Sequence, residues 1–266
     1  MARQIRILFL GTGTSTGIPA IGCACKTCRS TDERDKRTRS SALISWEDNG
    51  VTRNVLLDAC TDLRFQALRF ELNHLDAVLF THSHADHIHG IDELRSFNFI
   101  QRSTIPCYAS AFTVADIKNR FPYIFNPSKQ AMEGGGIPKL TLQAVEGEFE
   151  LFGLKVSVLP VRHGFAEVFG YRFGSLAYIT DVNSIPEPTM ENLKSLDVLV
   201  LGTVQRKPHT THFGLYEALD VLKKIGPRKG YITHMNHDLM HADLLAELPE
   251  NILPAYDGLS LTAGDI

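Results

Sequence analysis

The 266-residue chain has no apolar run of the roughly 18 residues that a membrane-spanning helix needs. Its opening residues, Met-Ala-Arg-Gln-Ile-Arg-Ile-Leu-Phe-Leu, carry no small-residue cleavage site and read as a first strand rather than a signal peptide. Surplus positive charge is missing too. Lys and Arg number 27 against 30 Asp and Glu, giving a net charge of −3. That excludes nucleic-acid binding by bulk positive charge and leaves only a local basic patch. Cysteine is scarce and odd in number, with Cys23, Cys25, Cys28, Cys60 and Cys107 making five. A disulfide framework does not fit so long a chain; a metal site in a reducing cytoplasm does. There is no low-complexity segment, long linker or short-period repeat. With 44% hydrophobic and 21% charged residues, wholesale disorder is also excluded. A chain of this length buries a sizeable core unaided.

What is present alternates. Strands are predicted at 4–10, 41–47 and 52–58, the last two a hairpin around Asp48-Asn49-Gly50. A helix is predicted over 61–72 with Leu63, Ala67, Leu68 and Leu72 on one face. A short buried strand follows at 76–81, then helices near 91–102 and 111–121. Residues 122–138, with three prolines and Gly134-Gly135-Gly136, read as a mobile surface loop, and 29–40 as a solvated charged loop. The second half gives strands at 139–145, 154–159, 168–173, 176–180, 197–201, 229–233, 252–256 and 258–262, with helices near 187–195 and 214–225. Each half is strand-rich and then alternates strands with helices. The pattern predicts α/β architecture in a single domain over 1–266: two β-sheets face to face with helices outside, a four-layer αββα sandwich.

The strand at 76–81 runs into Thr81-His82-Ser83-His84-Ala85-Asp86-His87. Burying four such groups unpaired costs several kcal/mol each, on the order of the usual transfer penalties. His82 and His84 alternate and face one side; Asp86 and His87, one turn on, reach a second ion. Histidine with carboxylate suits Zn, Fe or Mn. Three later strands each deliver one more ligand at the tip: His163 in Pro-Val-Arg-His-Gly, Asp181 after Ala-Tyr-Ile-Thr, and His234 after Gly-Tyr-Ile-Thr.

His82-x-His84-x-Asp86-His87 followed by His163, Asp181 and His234 resembles the metallo-β-lactamase superfamily, over nearly the whole chain. The resemblance implies the αββα fold and two divalent ions, Zn or Mn. His82, His84 and His163 would hold one, Asp86, His87 and His234 the other, and Asp181 would bridge. Two divalent ions, two aspartates and a hydroxide leave about one positive charge, suited to an anionic phosphodiester. Asp58, in Leu-Leu-Asp-Ala, reads equally as a carboxylate orienting a ligand histidine or as a plain loop or cap residue.

Cys23-x-Cys25-x-x-Cys28 puts three thiolates on one tight loop at 23–28, and a closed zinc site needs a fourth ligand. The loop is similar to that of the superfamily's phosphoribosyl 1,2-cyclic phosphate phosphodiesterases, the PhnP type. They pair it with a histidine three residues after the last catalytic one. His237, in His234-Met235-Asn236-His237, fits and would complete a structural zinc site. Cys60 and Cys107 read as buried thiols. Gly11-x-Gly13-x-x-x-Gly17 reads as a tight loop under the metal site and not a phosphate loop, because Pro19 and the cysteines stand where a helix should begin.

The leaving alkoxide of a ribose-type ester benefits from a proton donor. In the cyclic-phosphodiesterase branch a histidine in the region of Lys207-Pro208-His209-Thr210-Thr211-His212 plays that part. His212, just before the helix near Gly214, is the first choice here and His209 the second. His74, His89 and His241 read as surface or packing residues. Arg162, Lys207 and the 122–138 loop are candidates to hold a sugar.

The reading is a cytoplasmic two-metal phosphodiesterase acting on a small, cyclic phosphate. Its partners would be that anionic substrate and no membrane, and a homodimer is compatible with the resemblance. A tRNA 3′-processing nuclease of the same superfamily is disfavoured by the acidic chain and by the absence of a basic Gly/Pro-rich arm. Pyrroloquinoline quinone biosynthesis protein B looks related through its cysteine loop, but its chemistry is oxidative. Ester, thioester and β-lactam hydrolysis share the core motif, and a non-catalytic metal-binding scaffold is the reading of a different class.

Overall fold

In a computed structural model, residues 4–126 and 136–264 are described. The chain opens with β1 (Ile5–Gly11), β2 (Ser41–Asp48) and β3 (Val51–Leu57), then α1 (Leu63–Arg69), β4 (Ala77–Leu79), α2 (Ala85–Ile88) and α3 (Leu94–Gln101). β5 (Ile105–Ala109), α4 (Ala111–Arg120), α5 (Pro122–Phe125) and β6 (Leu140–Ala144) complete the first half. The second half runs β7 (Glu148–Leu151), β8 (Leu154–His163), β9 (Ala166–Phe173), β10 (Leu176–Ile179), α6 (Glu187–Glu191), β11 (Val198–Gly202), α7 (Leu215–Ile225), β12 (Lys229–Thr233), α8 (His241–Glu247), β13 (Ile252–Pro254) and β14 (Ser260–Ala263).

Among the described residues these strands form two sheets, ordered β14-β1-β2-β3-β4-β5-β6 and β13-β12-β11-β10-β9-β8-β7. Alternation along β1 shows why they stack. Ile5, Ile7 and Phe9 point into the core between the sheets, with Ile44, Trp46, Val156, Tyr171 and Tyr231. Leu10, on the other face of β1, packs outward with Leu56, Val78, Leu94 and Ile117 under the helices. The second sheet does the same, with Leu199 and Leu201 meeting Leu215 and Leu222 of α7. Strands buried on both faces read as continuous apolar runs, and each such side chain contributes about 1.5–3 kcal/mol on burial. This is the four-layer αββα sandwich expected from the sequence.

The sheets are pinned together where β4 ends. Tyr171 Oη donates to Phe80 O at 2.8 Å, and Phe169 N donates to Thr81 O at 3.0 Å. Thr81 opens the histidine cluster, so the seam between the sheets runs directly beneath it.

Several expectations are corrected. The helix expected over 61–72 is confined to Leu63–Arg69, and Leu68 lies 64% exposed. Gln66 takes the inner face because its amide donates to Thr38 Oγ1 and Arg39 O, both at 2.9 Å. The helix expected over 91–102 begins as a 3-10 turn at Ile91–Glu93. Segment 29–40 is not wholly solvated: Asp35, Arg37 and Ser40 are buried. Of the loop expected at 122–138, Pro122–Phe125 is a helical turn, and residues 127–135 lie outside the described residues. β5, β7 and α8 were not foreseen. Pro106 obscured β5, and it is tolerated because β4 pairs only with Cys107 and Tyr108 beyond it. Among the described residues no helix is long and apolar enough to cross a membrane.

Candidate metal centre

β4 lies between β3 and β5, parallel to both, so its C-terminal tip projects at one end of the sandwich. His84 is the N-cap of α2, with extended backbone, and the turn of α2 carries Asp86 and His87 back towards β4. β8, the loop after β10 and the loop after β12 bring His163, Asp181 and His234 to the same end. Asp58 and His234 both have left-handed backbone, with φ of 61° and 59°. Such strain in non-glycine residues persists only where neighbours enforce it.

The ligand atoms of His82, His84, His163 and Asp181 all lie within 4.8 Å of one another, and so do those of Asp86, His87 and His234. Asp181 faces both groups. Its Oδ2 is 3.7 Å from His82 Nε2 and 3.9 Å from His163 Nε2. Its Oδ1 is 3.1 Å from His234 Nε2 and 3.3 Å from His87 Nε2. Asp86 Oδ2 stands 3.4 Å from His87 Nε2 and 3.6 Å from His234 Nε2. His84 is exposed, while the other six residues are buried.

The far sides of three of the imidazoles are tied down. His87 Nδ1 lies 2.7 Å from Asp58 Oδ2. His163 Nδ1 lies 2.7 Å from the carbonyl oxygen of Thr211 and therefore donates to it. Thr81 Oγ1 donates to Asp58 Oδ2 at 2.8 Å and lies 3.0 Å from His82 Nδ1. Each arrangement leaves Nε2 free to bind a cation, the outer-shell pattern of histidine metal sites. His82 Nε2, His87 Nε2 and both nitrogens of His234 are buried without a hydrogen-bond partner. Orphaned buried polar atoms are costly. Here the Nε2 atoms converge on Asp86 and Asp181, and a cation between them would satisfy them. The donor set fits two ions.

Electrostatics agree. Burial works against ionised Asp181 and Asp86, yet the neighbouring imidazoles of His234 and His87 outweigh it and hold both carboxyls well below the carboxylate range. Burial pushes His82 down, and partial desolvation with the neighbouring His163 pushes the more exposed His84 down, so both remain neutral donors. Burial likewise pushes His212 down to about 3, with His234 and His163 adding to the effect and Asp181 opposing it.

His212 joins this cluster: its Nε2 is 4.0 Å from Asp181 Oδ2, and its ring stacks on His234 with centroids 5.1 Å apart. His209 is exposed on the outer side of His212, ring centroids 5.2 Å apart. His74 pairs with Asp76 at 3.3 Å, His89 stands against Phe121, and His241 is buried. Thr81 and Thr211 were missed by sequence reasoning. Adjacency to a ligand was the only available signal for Thr81, and Thr211 acts through a backbone carbonyl that its side chain does not advertise. Asp58, ambiguous in sequence, proves to orient His87.

A second cluster lies beside the first. Cys23, Cys25, Cys28 and His237 have ligand atoms within 4.8 Å of one another. Cys23 Sγ and Cys28 Sγ stand 3.3 and 3.6 Å from His237 Nδ1. The Cys28 amide donates to Cys25 Sγ, lowering the pKa of that thiol, whereas burial raises Cys28 to about 11. A metal would reverse the Cys28 shift by binding its thiolate. Gly13 pairs with Met235, and Thr14 N donates to Met235 O at 3.1 Å. The glycine loop, expected under the metal site, thus lies against Met235 in the segment joining both clusters.

A family model described as "Beta-lactamase superfamily domain" matches residues 53–235. A solved structure described as a new diphosphatase from the PhnP family is 40% identical, covers 97% of each chain and superposes with a TM-score of 0.87. Zn(2+)-bound PqqB from Methylobacterium extorquens, 20% identical over 96% of this chain and 99% of its own, has a TM-score of 0.75 and shows the fold alone. An octanoyltransferase of Porphyromonas gingivalis (strain ATCC BAA-308 / W83) is 37% identical over 257 residues, 96% of this chain. This chain spans about half of that protein, 51% of its length, and the transferase name belongs to the longer protein.

Proposed function

The chain belongs to the β-lactamase superfamily, a fold of metal-dependent hydrolases, and on that premise we propose that it hydrolyses a small anionic phosphoester, a cyclic phosphodiester in the leading case. The observation that carries the reading is Asp181, which presents one oxygen to each of two ligand sets. The 40% identical diphosphatase of the PhnP family supports phosphorus as the reacting centre.

His82, His84 and His163 with Asp181 would hold one divalent ion, and Asp86, His87 and His234 with Asp181 the other. Zn or Mn bound there supplies Lewis-acid charge and lowers the pKa of a water. The chain's own residues do the rest. Asp58, Thr81 and Thr211 hold the imidazoles of His87, His82 and His163, which limits the reorganisation that reaction requires. His212 stands at the cluster's edge, where a leaving oxygen would depart. In this reading His212 donates a proton to the leaving oxygen. His209, whose ring centroid lies 5.2 Å from that of His212, is the second candidate for this donor. Cys23, Cys25, Cys28 and His237 would hold a structural zinc.

The test is hydrolysis of phosphoribosyl 1,2-cyclic phosphate, 2′,3′-cyclic nucleotides and a nucleoside diphosphate by Mn- and Zn-loaded protein. Turnover of a cyclic diester supports the proposal. Turnover of the diphosphate alone moves the substrate class to phosphoanhydrides, and no turnover in metal-loaded protein overturns the phosphoester reading.

A further inference from the structure

Segment 29–40 hides an ion pair whose two side chains are both fully buried: Arg37 Nη2 lies 3.2 Å from Asp35 Oδ1. A buried pair adds little stability in itself, because desolvation offsets attraction. Its other contacts show what it holds. Arg37 Nη1 donates to Asn236 O at 3.3 Å, and Nε donates to Arg34 O at 3.3 Å. Asp35 Oδ1 also accepts from His241 N at 2.8 Å. The main chain of Arg37 pairs with Ile18 in both directions, at 2.8 and 2.9 Å.

These contacts reach two places at once. Ile18 leads into the loop bearing Cys23, Cys25 and Cys28. Asn236 stands between His234, in the Asp86–His87 cluster, and His237, in the cysteine cluster. His234 has left-handed backbone, which needs outside support. Met235 is pinned by its amide to Thr12 O at 2.9 Å, and Asn236 N donates to Val204 O at 2.8 Å. Among the described residues the Asn236 carbonyl also accepts from the Leu239 amide, at a long 3.3 Å.

We propose that Arg37 is a positioning residue that ties the two metal centres together, its guanidinium holding the Asn236 carbonyl so that His234 and His237 turn to separate ions. The assignment rests on the reading of both clusters as metal sites. A planar fork with donors in fixed directions serves three acceptors; a lysine ammonium is a point charge and cannot span Asp35, Arg34 O and Asn236 O together.

Cobalt(II) titration of the full chain tests this. Cobalt on thiolates gives a sulfur-to-metal charge-transfer band, and cobalt on histidine and carboxylate gives d–d bands only, so the two centres are read separately. Two variants are compared with wild type. R37K keeps a charge for Asp35, and the pair R37M/D35N removes both charges without orphaning either. Both are expected to weaken cobalt binding at both centres by roughly ten- to hundredfold, the size of outer-shell effects, with far-ultraviolet circular dichroism unchanged. Wild-type affinity at both centres in either folded variant, or loss at one centre only, overturns the proposal. Absence of the charge-transfer band in wild type overturns the thiolate site itself, and the proposal with it.

Discussion

His87 Nδ1 lies 2.7 Å from Asp58 Oδ2, and the same oxygen accepts from Thr81 Oγ1, which stands 3.0 Å from His82 Nδ1. One buried carboxylate therefore orients an imidazole in each ligand set. Asp58→Asn keeps the shape and loses one acceptor. Metal affinity, measured by chelator competition, should fall roughly ten- to hundredfold. Unchanged affinity would show that Asp58 merely supports the loop.

The cysteine cluster gives a prediction by stoichiometry. Cys25→Ser removes one of four ligand atoms that lie within 4.8 Å of each other. Zinc per chain should drop by about one equivalent, and the melting temperature should fall with it. Unchanged zinc content would sink the structural site.

The acid role proposed for His212 has a clear signature, because leaving groups differ in how much they need a proton. His212→Ala should slow an alkyl phosphodiester by on the order of a hundredfold or more and an aryl diester far less. Equal losses on both substrates would remove His212 from the acid role.

His241 supplies a pH dependence away from the metal ligands. Burial, with Arg34 and Arg37 adding, lowers it to about 4. The folded state thus prefers the neutral ring. Stability from this group is fully present above the ordinary histidine pKa of 6.5 and is lost as pH falls towards 4. Urea midpoints of wild type should drop more between pH 7 and pH 5 than those of His241→Gln. Parallel drops would contradict the assignment.

Most of the fold was legible because strands buried on both faces leave apolar runs that punctuation residues bound cleanly. The ligands were legible for a related reason: polar clusters directly after such runs, at 82–87, 163, 181 and 234, have no other use for so many imidazoles. What escaped detection depends on contacts between distant segments. Gln66 faces inward because Arg39 offers it a carbonyl, and Leu68 is turned out as a result. Arg37 sits in a run of charges that looks solvated, yet it is buried with acceptors from its own segment, Arg34 O and Asp35 Oδ1, and one from far along the chain, Asn236 O. Asp58 needed the spatial position of His87 before its role could be assigned.

The most direct test of the central claim compares wild type with Asp86→Asn, each loaded with Mn or Zn, on phosphoribosyl 1,2-cyclic phosphate, with metal content measured on the same samples. The account predicts turnover in wild type and its collapse in Asp86→Asn together with loss of metal from one active-site position. Equal turnover in both proteins, or none in wild type with both positions filled, would contradict it.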